Sequence, residues 1–337
     1  MTKNAKSGIT VFIIIILIAA GCIGYSIYEN KKIESKLSYY NNATGNPSGV
    51  SSETAVKDKS AGKEYIAALY VEGTIEDENS TYNQKWLLST INKLTNDHNN
   101  IAIALYVNSP GGGVYQADEV YLALQAYKRQ DKKLYVFMGP MAASGGYYIS
   151  CPADKIFANR NTLTGSIGVI AGQLIDATEL LDNVGVKIEA IHSGRNKLMG
   201  NFYEPATDEQ RKILQSVSDE CYDQFVSIVA EGRSIPVAKV RELADGRIYT
   251  AAQALKLNLI DQIGNWDGMI SELRNELSDP ACKVVTFHYE HKQTFRESLL
   301  GMFSNIKNQE AAAKLGLPRS VMDDLQGFNT YPAYLYR

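Results

Sequence analysis

Ser144 stands in the run Met138-Gly139-Pro140-Met141-Ala142-Ala143-Ser144-Gly145-Gly146-Tyr147-Tyr148, among residues small enough to let a substrate backbone approach. A serine attacks a carbonyl only when a base takes its proton and N–H donors meet the developing oxyanion. Donors are available in a second glycine turn, Val107-Asn108-Ser109-Pro110-Gly111-Gly112-Gly113. There an apolar strand closes and a helix opens, so amides can point at a negative charge with no side chain in the way. Neither phosphate-binding pattern, G-x-x-x-x-G-K-[ST] or G-x-G-x-x-G, occurs at this turn. Taken singly, the triple glycine reads as a tight turn and Ser144 as a helix N-cap. About one strand apart, the two read together as a nucleophile beside an oxyanion hole.

The base is less clear from the residues. His98, His192, His288 and His291 leave a Ser-His-Asp arrangement open, but none has a persuasive context, and His192 reads as a structural or surface residue. A lysine, with an ordinary pKa of about 10.4, serves only if burial removes its charge, and a depression of about three units corresponds to roughly 4 kcal/mol. Lys197 has apolar neighbours in Leu198, Met199 and Phe202 and a repelling one in Arg195, yet these features do not single it out from Lys187 or Lys212. Asp118 and Glu119 follow the glycine turn by a few residues and offer carboxylates there. On a helix they read more simply as solvated or first-turn charges. Cys22, Cys151, Cys221 and Cys282 stand far apart, and no cluster of His, Cys and carboxylates is evident, so neither a metal, an organic cofactor nor a disulfide framework is expected.

The elements that must position these residues follow from periodicity. Strand-like runs at 65–71, 101–107 and 133–138 alternate with helical patterns at 82–96 and 114–129, the signature of βαβ units in an α/β fold. A further strand-like run, 186–192, continues the layering. Helices are expected at 208–230, 236–244, 251–257 and 266–277, and a strand at 283–289. In the first of these helices Ile213, Leu214, Val217, Cys221, Phe225 and Ile228 recur at helical spacing and read as core.

Ahead of this domain, after a short segment 1–8, the uncharged run 9–27 is long enough to cross a bilayer. Lysines on both sides of it do not fix an orientation, and no clean small-x-small cleavage site closes it, so it reads as an uncleaved anchor. Ala19-Ala20-Gly21-Cys22 is somewhat like a lipobox without its usual first leucine, which leaves Cys22 as an alternative lipid anchor. Residues 28–62 have linker composition, the folded domain is expected over 63–290, and 291–337 form a C-terminal helical segment and aromatic tail. The tail, 328–337, is aromatic and short of charge, and reads either as a segment that docks as a substrate-like or inhibitory strand near the Ser144 site of its own or a neighbouring chain, or as a disordered terminus. A net charge of -3 over 337 residues argues against nucleic acid as a partner.

N-S-P-G-G-G at 108–113, A-A-S-G-G-Y-Y at 142–148 and T-G-S-I-G-V at 164–169 resemble, in that order, motifs of the signal peptide peptidase A family. The likeness continues through Ser193-Gly194-Arg195-Asn196-Lys197 and the runs 245–254 and 259–264, and covers about 63–275 in the short, single-unit form. It implies a Clp-protease/crotonase-like fold and a serine endopeptidase that degrades remnant signal peptides and other hydrophobic peptides. It implies Ser144 as nucleophile, Lys197 as general base, Ser166 as the hydroxyl orienting the lysine, and Gly112 and Gly145 as oxyanion donors. It further implies a single-pass membrane protein, anchored through 9–27 with its catalytic domain outside the cytoplasm. The assembly would be a homo-oligomeric ring, octameric in the short form, with each active site shared between protomers. An acyl-CoA enzyme of the same fold or an inactive membrane scaffold is the alternative.

Overall fold

The computed structural model describes residues 63–291 and the backbone of Ala333–Leu335. In chain order the elements are β1 (Tyr65–Glu72), α1 (Gln84–Asn96), β2 (Asn100–Ser109), β3 (Gly111–Gly113), α2 (Val114–Lys128), β4 (Lys133–Ala143), α3 (Gly145–Tyr148), β5 (Lys155–Ala158), β6 (Leu163–Gly165), α4 (Thr178–Asn183), α5 (Asp208–Arg233), α6 (Val237–Leu243), β7 (Ile248–Thr250), α7 (Ala251–Lys256), β8 (Gln262–Ile263), α8 (Trp266–Glu276), β9 (Lys283–Phe287) and β10 (Ala333–Leu335). The anchor expected at 9–27 and the linker at 28–62 lie outside the described residues, as do 292–332. Among the described residues no helix is long and apolar enough to cross a membrane.

β1, β2 and β4 are almost continuously apolar because both faces of the sheet are covered, as parallel sheets require. The strand order is β7-β6-β4-β2-β1-β9, with β5 and then β8 branching from β4. Every pairing in this sheet is parallel except β6 with β7. Alternate side chains then sort by face. Leu69, Ile103, Leu105 and Val136 pack with Ile91 of α1, Leu124 of α2, Tyr147 of α3 and Phe225 of α5, while Ala104, Tyr135 and Phe137 meet Met269 and Leu273 of α8. The helices start where side chains satisfy their free amides. Asn83 accepts from Trp86 N–H ahead of α1, and Thr207 with Gln210 and Thr250 with Gln253 form capping boxes on α5 and α7.

The α/β layering and the long elements agree with the sequence reading, with two corrections. Residues 186–192 form no strand and lie in an exposed stretch. The apolar stripe of α5 is core only in its second half: Phe225, Val226, Ile228 and Val229 are buried, whereas Ile213, Leu214 and Cys221 are half-buried and Val217 is exposed. The cause is the same in both places, because no residue from 168 to 224 is fully buried, and only a few, Val169 and Tyr222 among them, pack against the core from its edge. Spacing makes a stripe available for burial, and a packing surface must still be there to bury it.

Candidate active site

β4 delivers the chain to Ser144, which adopts φ 55° and ψ −118°, and α3 begins on the next residue. A non-glycine residue held in such a region costs on the order of 1–3 kcal/mol, so its surroundings must impose it. They do so through the backbone: Ser144 N–H donates to Gly165 O of β6 at 2.8 Å, and Tyr148 N–H donates to Ser144 O at 2.9 Å. Ser144 occupies the N-cap position of α3 but makes no capping bond with its side chain, which removes the cap reading. It is 1% exposed, and its Oγ is buried with no hydrogen-bond partner among the described residues. Buried polar atoms are ordinarily paired. An orphan hydroxyl at a strained strand-to-helix elbow fits a group that is free to engage an incoming ligand.

β3 lies directly against this elbow. A Cβ on Gly145 would come within 3.2 Å of Gly111 Cα and Gly112 N, so a side chain there would press the two backbones apart by a few tenths of an ångström. On its other edge β3 is bound to the chain that follows β1. Ile75 N–H donates to Gly111 O and Gly113 N–H donates to Ile75 O, both at 2.8 Å. Strand alternation turns the Gly112 N–H the opposite way. As the first residue of α3, Gly145 has an N–H without an intrahelical acceptor. The two glycines expected as oxyanion donors are therefore brought together beside Ser144. Along β3 the backbone of β10 pairs antiparallel, Ala333 with Gly113, Tyr334 with Gly112 and Leu335 with Gly111, so the tail reaches the expected place.

Ser166 immediately follows the β6 residue that holds the elbow. It has φ 50°, its N–H donates to Arg247 O at 2.8 Å, and it is buried. It borders a cleft of about 410 Å³ lined also by Val169, Ile170, Ser218 and Tyr222. The Lys197 side chain is exposed, in the stretch of unburied residues after α4, and no hydrogen bond joins it to Ser144 Oγ. Within one chain the structure thus assembles Ser144, Gly112, Gly145 and Ser166, with the Lys197 side chain exposed and not bonded to Ser144.

The competing groups are otherwise engaged. His98 is exposed, His192 is exposed with its ring nitrogen 3.2 Å from Ala190 O, and His288 pairs with Glu72 at 2.7 Å. His291 Nδ1 lies 3.9 Å from Glu78. Burial pushes the Cys151 thiol up to about 12, so it is no rival nucleophile. Glu119 accepts hydrogen bonds from Tyr115 and Gln84. Asp118 corrects the sequence reading, for it lies past the first turn of α2 and is no simple solvated charge: Tyr148 Oη donates to it at 2.6 Å and Gln224 Nε2 at 3.0 Å. No local spacing announces that trio, since its members come from three helices.

The profile of Peptidase family S49 matches residues 126–278. A protein of Enterococcus faecium, provisionally named signal peptide peptidase SppA, is 36% identical over 72% of this chain and 72% of its own length. Protease 4 of Haemophilus influenzae is 32% identical over 76% of this chain and 43% of its own. The chloroplastic serine protease SPPA of Arabidopsis thaliana is 30% identical over 64% of this chain and 32% of its own. Among solved structures, a mutant ClpP1 of Listeria monocytogenes overlaps 60% of this chain and 94% of its own at TM-score 0.40 and 18% identity.

Proposed function

Since the chain belongs to peptidase family S49 and is a serine peptidase of the SppA type, we propose that it is a membrane-anchored endopeptidase that degrades signal peptides and other hydrophobic peptides through a Ser144/Lys197 dyad. The observation that carries this reading is the buried, unpartnered Ser144 Oγ at a strained elbow, with glycine amides beside it. In the proposed reaction Oγ attacks the scissile carbonyl and passes its proton to the base, while the oxyanion sits between the N–H groups of Gly112 and Gly145. The tetrahedral intermediate then expels the amine, which takes that proton. Water enters, gives a proton to the same base and hydrolyses the acyl-enzyme.

The base comes from a neighbouring protomer in this reading. An exposed Lys197 and a buried Ser144 in one chain support it, as does the apolar surface of the stretch that bears the lysine. Leu180 is 64% exposed, Val184 62% and Ile191 99%, a surface that a second copy would cover. The contact would also remove water from the amine, which a lysine base requires. Ser166 then orients the lysine. The assembly is a ring, octameric in the short form, on a Clp-protease/crotonase-like fold. The catalytic domain lies outside the cytoplasm, tethered through 9–27.

The antiparallel seat of β10 on β3 supports a substrate-like role for the tail, because a peptide adding a strand at that edge would place its carbonyls along the glycine amides. The tail would then compete with substrate. Removing 328–337 should raise the turnover of a hydrophobic peptide at low substrate concentration, and an unchanged rate would count against the competition. The main test is hydrolysis of a fluorogenic hydrophobic peptide by the full chain in detergent. Ser144→Ala and Lys197→Ala should each be inactive while folded and assembled. Full activity in Lys197→Ala would place the base elsewhere, and full activity in Ser144→Ala would end the hydrolase reading.

A further inference from the structure

The two oxyanion amides sit on different elements, Gly112 on β3 and Gly145 on α3, so their separation depends on whatever holds those elements together. We propose that the hydrogen-bonded triangle of Asp118, Tyr148 and Gln224 is a positioning device that sets this separation. The proposal rests on the reading of Ser144 and the glycine amides given above.

Tyr148 ends α3, the helix that Ser144 opens, and its N–H is bonded to Ser144 O. Its ring is fully buried between Tyr121 of α2 and Phe225 of α5, with centroids 5.4 Å and 5.0 Å away. Its hydroxyl donates to Asp118 Oδ1 at 2.6 Å, and Asp118 lies on α2, which continues directly from β3. Gln224 of α5 closes the triangle, donating from Nε2 to Asp118 Oδ1 at 3.0 Å and to Tyr148 Oη at 2.8 Å. One phenol therefore ties the nucleophile's helix to the oxyanion strand's helix, through a charge-assisted bond of the stronger kind.

The opposite flank of the same unit is also held. Gln116 Nε2 in the first turn of α2 donates to Asp77 Oδ1 at 3.0 Å, and Gln84 Nε2 donates to Gln116 O at 3.1 Å. Ser109 Oγ accepts from Gly111 N–H at 3.1 Å and shapes the turn into β3. The close packing of Gly145 on Gly111 and Gly112 limits how near the amides can come. The triangle limits how far they can part. Tyr148, Asp118 and Gln224 need not touch substrate for this, and they act through the two glycines.

The test compares wild type, Tyr148→Phe, Asp118→Ala, Asp118→Asn and Ser144→Ala as full chains, well below their melting temperatures. A misplacement near 1 Å at a reacting centre costs on the order of a hundredfold, so Tyr148→Phe and Asp118→Ala should lower kcat by about ten- to a hundredfold with KM within about twofold. Affinity for a peptide aldehyde, which forms an oxyanion on Ser144, should fall in parallel with kcat/KM. Asp118→Asn keeps an acceptor for Tyr148 and should recover most of the loss, and the double variant Tyr148→Phe/Asp118→Ala should be no slower than the slower single one. A purely structural role would lower the melting temperature and leave kcat of the folded enzyme unchanged. If Tyr148→Phe and Asp118→Ala keep wild-type kcat while Ser144→Ala is inactive, the positioning role is wrong and the nucleophile stands. If Ser144→Ala is itself active, the nucleophile assignment falls and the positioning role with it.

Discussion

At the scale of single residues, Ser144 combines a strained backbone with a buried hydroxyl that has no partner among the described residues, and both features cost stability. An unsatisfied buried donor costs about 1–3 kcal/mol, so Ser144→Ala should leave the domain as stable as wild type or more stable by roughly 1 kcal/mol. The same change should reduce hydrolysis by on the order of 10³-fold or more, because no other nucleophile stands at the elbow. Thermal unfolding and peptide hydrolysis, measured on one preparation, check both halves. A marked loss of stability would mean that the hydroxyl is paired in the resting enzyme.

At the scale of elements, β3 is confined from both sides. A Cβ on Gly112 would lie 1.9 Å from Ile75 O, so alanine there must push the strand off the chain that follows β1. Gly112→Ala should destabilise by about 2–3 kcal/mol and depress activity in the fraction that folds. Gly200→Ala is a useful contrast, since nothing lies within 4 Å of the added carbon and only φ +85° resists it, for on the order of 1 kcal/mol. Where β9 ends beside β1, His288 and Glu72 form a clasp. The hydrogen bond from His288 holds Glu72 below its ordinary 4.5, and the same bond raises His288 above its ordinary 6.5, in each case against the effect of burial. The Glu72 share of the stabilisation is present above pH 4.5 and lost as pH falls through its depressed value. The His288 share is complete below pH 6.5 and lost as pH rises through its raised value. With side chains 42% and 30% exposed, the clasp is worth under about 1 kcal/mol. Denaturant titrations of His288→Gln and wild type should therefore differ most near pH 5.5 and converge in alkali, above the raised His288 value. An equal difference at both pH values would remove the charge-based account.

At the scale of the whole molecule, one chain brings Ser144, Gly112, Gly145 and Ser166 together and leaves the Lys197 side chain exposed. If neighbours share sites, Ser144→Ala and Lys197→Ala subunits complement one another, since the first brings an intact lysine and the second an intact serine. Random reassembly of equal amounts should restore about a quarter of wild-type activity, because each site then has even odds of an intact serine and of an intact lysine. Separately assembled variants mixed without subunit exchange should stay inactive. No recovery after verified exchange would place serine and lysine in the same chain. Ile191, 99% exposed on the stretch that bears Lys197, offers a second readout. Ile191→Asp should weaken the assembly in sedimentation while leaving the chain's own unfolding within about 0.5 kcal/mol of wild type.

The amino-acid order alone determined the strands of the sheet centre, the helices between them and the two glycine turns, with Ser144 marked beside them. These are local matters: an uninterrupted apolar run, a capping residue and a stretch with no side chains to obstruct a backbone are properties of neighbours in the chain. The short strands β5 to β8 escaped because two to four residues carry no period. Only the tertiary structure decided that Asp118 meets Tyr148 across thirty positions, that Ile75 confines β3, and that the first four residues of the α5 stripe stay short of full burial. Whether a polar or apolar group is satisfied depends on which elements pack against it, and chain order does not carry that information. Lys197 shows the boundary most clearly. A family motif marks it, yet nothing within the chain's own fold brings it to Ser144, because its partner surface belongs to another molecule in the reading proposed above.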